Sequence, residues 1–133
     1  MMVVGQKVIG WGALSMLISV ILGAVGTHVL TGVLTAQALY TYQIAVNYQL
    51  YHSLGLILIG ILLLDYQPCK RLISVAFLLA AGIVLFSGSL YIFVIFHGAW
   101  SWLGLLTPIG GMCWIIAWGL LAWTFMRYRP HHK

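Results

Sequence analysis

The polar breaks in this chain are short and the apolar runs between them are long. Val8 to Leu30, Ile44 to Leu64, Leu72 to Phe96 and Leu103 to Met126 each approach or exceed the roughly 20 residues that a helix needs to cross a hydrocarbon core. None of the four alternates apolar and polar residues with the two-residue period of a barrel strand, so the remaining spanning solution, the helix, is predicted for all four. Residues 31 to 43 are too polar to span and too long for a tight turn. Thr35 is placed to cap a helix through its hydroxyl, and "TAQALYTYQ" contains no helix breaker. The second helix is therefore expected to begin outside the hydrocarbon and run about 45 Å from Thr35 to Leu64 at 1.5 Å per residue.

Composition makes the membrane assignment firm. Hydrophobic residues fill 63% of the 133 positions and charged residues 5%, against about 25% charged in a soluble domain, so a water-facing surface cannot be built. A single all-α membrane domain is the result, with no linker, repeat or soluble module. The first run resembles a secretory signal in having Lys7 ahead of it and Gly23, Ala24 and Gly26 behind. A signal core, however, is about 7–15 residues long, so the run is expected to stay as a span.

Charge then orients the bundle. Lys7, Lys70, Arg71, Arg127, Arg129 and Lys133 all fall on one side of a four-span layout, and basic residues collect on the cytoplasmic side. Both termini are expected there. The basic balance is thus a topology signal and calls for no nucleic acid. Two adjacent basic residues in the inner loop fall short of the clusters of about 4–8 that read as anionic-lipid sites. Trp11, Tyr66, Trp123 and Tyr128 are expected at the inner boundary, and Tyr40, Tyr42, Trp100 and Trp102 at the outer one. Asp65, the one acidic residue, reads as an interfacial group.

Polar residues inside the spans gather at one depth. Tyr48, Gln49, His52 and Gly55 form a stripe on the second helix. Thr27 and His28 end the first span, Ser87, Ser89 and Tyr91 occupy the outer part of the third, and Thr107 begins the fourth. Asn47 and Gln49 are expected near the outer boundary, reached by water or the preceding helix. Tyr48 and His52 are expected to turn inward and bond across to another span. Polar groups in lipid need such partners. Ser15, Ser19 and Gly23, together with Gly55, Gly88, Gly110 and Gly111, are small residues suited to close helix packing. Pro108 is tolerated at a helix start.

The motifs "GAVGTHVL" at residues 23–30, "YQLYHSLGL" at 48–56, "FSGSLY" at 86–91 and "LTPIGG" at 106–111 resemble, in order, the bacterial membrane family known as domain of unknown function 423, which is similar to eukaryotic transmembrane protein 256. The resemblance covers nearly the whole chain and departs from the family pattern at Val25, Thr27 and Ser53. It implies a four-span protein of the bacterial inner membrane and supplies no reaction.

The chemistry that remains is narrow. His28 and His52 are the candidate ligands for a metal or haem iron, but no Cys or carboxylate accompanies them, and no cofactor is predicted. Cys69 and Cys113 lie in the inner loop and the fourth span and form no Cys-X-X-Cys pair. Hydrolysis by Ser87 or Ser89 would need a positioned base and an oxyanion site. Proton or cation pumping would need buried acidic groups. Three classes stay open: a non-enzymatic accessory or assembly component working with a membrane-protein partner or a second copy, a pocket or permeation route for a small neutral or amphipathic molecule, and a histidine-bound redox protein.

Overall fold

Thr35 accepts the Ala38 amide through its hydroxyl at 3.2 Å and starts the longest helix of the molecule, as its sequence predicts. The computed structural model describes residues 3–66 and 69–127; expectations on Gln67, Pro68, Tyr128, Arg129, His131, His132 and Lys133 lie outside the described residues. Helix α1 runs Val4–His28 and is followed by a one-turn 3-10 helix, Leu30–Gly32; α2 runs Ala36–Asp65. The third span is built from α3 (Lys70–Gly82), a π-helical turn (Ile83–Gly88) and α4 (Ser89–Ile95). A 3-10 turn, Ser101–Leu105, leads into α5, Leu106–Met126. All four spans, Val4–Gly32, Ala36–Asp65, Lys70–Ile95 and Ser101–Met126, are long and apolar enough to cross a membrane; their ends lie within about four residues of the apolar runs except at the start of the second, which begins eight residues before Ile44 as the expected helical extension.

The buried residues of α1 are Gly5, Gly12, Ser19 and Gly26, recurring every seven positions, which is the period of a seam that faces one partner helix. That partner is α2, whose buried residues include Tyr42, Val46, Gln49, Ser53, Leu56, Gly60 and Leu63, alternating by four and three. Small residues let the two backbones meet. A Cβ added at Gly60 would lie 2.9 Å from the Gly5 carbonyl oxygen, and one added at Gly12 would lie 2.9 Å from the Ile57 amide nitrogen. Gly23 is less confined, with Val46 at 3.4 Å.

On its other side α2 packs against α3, the π turn and α4, and α3 packs against α5. The half of this assembly toward Asp65 and Lys70 is an apolar core of Leu56, Ile59, Leu63, Leu72, Val75, Ala76, Leu79, Trp114 and Ala117. Gly82 and Gly110 make room for it. A Cβ at Gly82 would overlap the Trp114 indole, whose Nε1–H donates to the Leu79 carbonyl at 3.2 Å, and one at Gly110 would strike the Phe86 backbone. Gly55 faces Trp118, whereas Gly88 and Gly111 have no neighbour closer than 3.9 Å. The latter two are thus not points of close approach.

The π turn changes the register of the third span. Buried positions run Leu72, Val75, Ala76, Leu79 and Gly82, then step five residues to Ser87. Five residues through the π turn cover about the angle that four cover in an α-helix, so the extra residue is absorbed and Ser87, Ser89 and Val94 remain on protein-facing surfaces.

Candidate functional site

Gln49 is the centre of the polar cluster. It is buried in the α1–α2 seam, where its amide nitrogen donates to the Ser15 carbonyl at 3.1 Å and its amide oxygen accepts the Tyr91 hydroxyl at 2.7 Å. One side chain therefore bridges the first, second and third spans. Ser53, one turn further on, sits 2.7 Å from the Ser15 hydroxyl and 2.6 Å from the Gln49 carbonyl, its single proton serving one of them at a time. Tyr42, at 1% exposure, donates to the Leu22 carbonyl at 2.7 Å and meets Tyr91 edge to face at 5.3 Å.

Further links close the bundle. Ser87 donates to the Ala45 carbonyl at 2.8 Å, tying the π turn to α2. Ser89 and Thr107 share a bond of 2.8 Å between the third and fourth spans. No fully buried side-chain nitrogen or oxygen among the described residues lacks a hydrogen-bond partner.

His52 does something different from what its sequence context predicts. Its Nδ1 reaches back 2.7 Å to the Tyr48 carbonyl of its own helix, so among the described residues it makes no hydrogen bond to another span. It meets the fourth span by stacking: the Trp114 ring lies 3.6 Å away at 5°. Tyr48 continues the stack at 5.7 Å and 18° from Trp114, with Phe86 5.0 Å from Tyr48. Gln49 bonds to the preceding helix as expected but departs from expectation in being buried in the interior and not at the boundary. His28 is exposed at the outer end of α1, and Thr27 turns its hydroxyl back to the Gly23 carbonyl at 3.0 Å. The structure brings Gln49, Tyr91, Ser87, Ser89 and Thr107 into the bonded framework and leaves His28, His52 and Tyr48 outside it; Tyr48, expected to turn inward, is 42% exposed and meets the other spans through ring contacts. Among the described residues no three His, Cys, Asp or Glu side chains gather as a metal centre would require.

Four partners were not singled out for these roles by the sequence. Ser15 reads as a packing residue and is also the acceptor for Gln49. Tyr42 reads as an outer-interface anchor and is interior. Ser53 and Trp114 carry no motif of their own. The signal for Tyr42, Gln49 and Ser53 was the four-three spacing of α2, which continues without a break from the aliphatic inner half into the polar outer half.

A separate cleft of about 280 Å³ lies at the outer end of the bundle between the start of α2 and the end of α4. Thr35, Gln37, Thr41, Phe93 and His97 line it. It does not include the Gln49 network. Next to it the chain turns through His97 and Gly98, with φ of 51° and 74°, the left-handed region in which glycine is at ease and histidine is uncommon.

These features define a small four-span helical membrane protein whose polar residues are cross-linked at one depth. The chain belongs to the family described as protein of unknown function (DUF423), whose model matches residues 22–111. It is 38% identical over 117 residues to the membrane protein YwdK of Bacillus subtilis, covering 88% of this chain and 94% of that one. Membrane protein SH2409 of Staphylococcus haemolyticus is 42% identical over 110 residues, covering 83% and 87%. Inner membrane protein YgdD of Escherichia coli K12 is 34% identical over 117 residues, covering 84% and 82%. No solved structure matches the chain. Family and spans together place it in the bacterial inner membrane as a multi-pass protein.

Proposed function

We propose that this protein is a non-enzymatic accessory or assembly component of the inner membrane, with the Gln49 network acting as a structural lock. The observation that carries this reading is the closure of that network: Gln49 bonds to Ser15 and Tyr91, and no fully buried polar side-chain atom among the described residues is left for catalysis. A nucleophile would need a neighbouring base and a site for the developing charge. Here Ser53 and Ser87 are engaged with backbone carbonyls and Ser89 with Thr107.

The same reading gives α1 a purpose. It docks on α2 through its glycine seam and leaves Leu14, Leu17, Ile18, Val20 and Ile21 exposed. A locked bundle with one peripheral helix can present that helix to a membrane-protein partner without paying to order it first. Photoreactive residues placed singly at Leu17, Val20 and Ile21 in the full chain, in its own membranes, test this. The expected result is one adduct of fixed mass, shared by neighbouring positions and lost when the opposite seam is disrupted by Gly12→Leu. Adducts with lipid alone at all three positions would contradict the role.

A further inference from the structure

We propose that His52 Nε2 is the hydrogen-bond acceptor of a binding site for a neutral, planar aromatic amphiphile carrying a hydroxyl, of the quinol type, entered from the lipid between α2 and α5. This goes beyond the accessory role and does not depend on it.

The argument begins with the tautomer. A carbonyl can only accept, so the 2.7 Å contact between Nδ1 and the Tyr48 carbonyl places the proton of the neutral ring on Nδ1 and leaves Nε2 as an acceptor. His52 is 7% exposed, and its only hydrogen bond among the described residues is the one at Nδ1. Since no fully buried polar side-chain atom among those residues lacks a partner, Nε2 must lie at the small opening that remains. The ring cannot easily turn away, because Trp114 covers one face at 3.6 Å. An acceptor held in this way at membrane depth is costly unless something from outside the protein donates to it.

The surroundings select the donor. Tyr48 and Trp118 are 42% and 40% exposed, with ring centres each 6.1 Å from the imidazole. They offer aromatic faces against which a planar ring packs. Neither α2 before Asp65 nor α5 contains a charged residue, so the ligand is neutral. His52 lies 13 residues from the inner end of α2 at Asp65, about 20 Å along the helix, which in a core about 30 Å thick leaves it about 10 Å below the outer boundary. Phospholipid headgroups lie above that depth, whereas the head of a lipid-soluble quinol reaches it.

The test uses the full chain in phosphatidylcholine nanodiscs, with ¹⁵N-labelled histidine, titrated with a short-tailed naphthoquinol kept reduced by dithionite. Saturable quenching of tryptophan fluorescence is expected together with a shift of the His52 Nε2 resonance toward that of a hydrogen-bonded acceptor. His52→Phe, which keeps a ring against Trp114, should bind at least tenfold more weakly while melting like the parent. If that variant does not fold, the resonance shift in the parent decides the matter. Non-saturable quenching, an unmoved Nε2 resonance, or equal affinity in a folded His52→Phe protein would overturn the proposal. So would a shift produced by adding phosphatidylglycerol and not by the naphthoquinol, since the site would then take a headgroup hydroxyl.

Discussion

Gln49 carries more of the architecture than any other single side chain because both ends of its amide are used, each toward a different span. Gln49→Leu keeps the bulk and removes both bonds, stranding the Tyr91 hydroxyl in the interior. A loss of about 1–3 kcal/mol is expected, read as a lowered unfolding midpoint in mixed micelles. Tyr91→Phe removes one bond and should cost less, near the 0.6 kcal/mol or so that membrane hydrogen bonds average. At this scale the sequence was only partly legible. That Gln49, His52, Ser87, Ser89, Tyr91 and Thr107 share a depth can be counted along four helices, but which of them bond to each other cannot. A stripe of Tyr48, Gln49 and His52 spans about 100° of helix surface, with about 60° between Gln49 and His52, enough for Gln49 to face α1 and α4 while His52 faces Trp114 of α5. His28 failed to join for a related reason: it falls at the last turn of α1, beyond the seam that ends at Gly26.

The elements keep closely to their periodicities, and the departures are informative. The α1 seam is a seven-residue repeat of small side chains, so Gly12→Leu should force α1 off Leu56 and Ile57 of α2 and destabilise the protein by about 1–3 kcal/mol, the usual cost of overpacking. Gly10→Leu, where a side chain would meet nothing within 4 Å, should stay within about 0.5 kcal/mol of the parent. Equal effects at the two positions, measured by denaturant unfolding in the same micelles, would mean that α1 is not seated on this face. The π turn was not legible at all, because "IVLFSG" looks like any apolar helical segment; the five-residue step from Gly82 to Ser87 shows only once the neighbours are known. Deleting Val84, which is exposed within the turn, should convert it to regular helix with Ser87 four residues after Gly82, a step that keeps the same face of an α-helix, so that the Ser87–Ala45 and Ser89–Thr107 bonds still form. A loss of about 1 kcal/mol or more, two bonds at the average value, would mean that the bonds depend on the turn itself and not on the facing of Ser87.

For the whole molecule, length and hydropathy were sufficient to number the spans, and the distribution of Lys and Arg predicts their orientation. With all six on one side of a four-span layout, a reporter fused after residue 133 should be cytoplasmic and one inserted near Gly98 external; an external carboxyl terminus would overturn the orientation. What holds the spans in register is divided by depth: aliphatic packing around Leu63, Leu72 and Leu79 in the half toward Asp65, and hydrogen bonds centred on Gln49 in the half toward Thr35. The lock itself is tested most directly by a double-mutant cycle between Gln49→Leu and Tyr91→Phe, with unfolding free energies measured in one lipid–detergent mixture. Partners in one buried network are expected to couple by about 0.5–1.5 kcal/mol, the double variant losing less than the sum of the two single losses. Strict additivity would contradict a network that joins the first, second and third spans through Gln49.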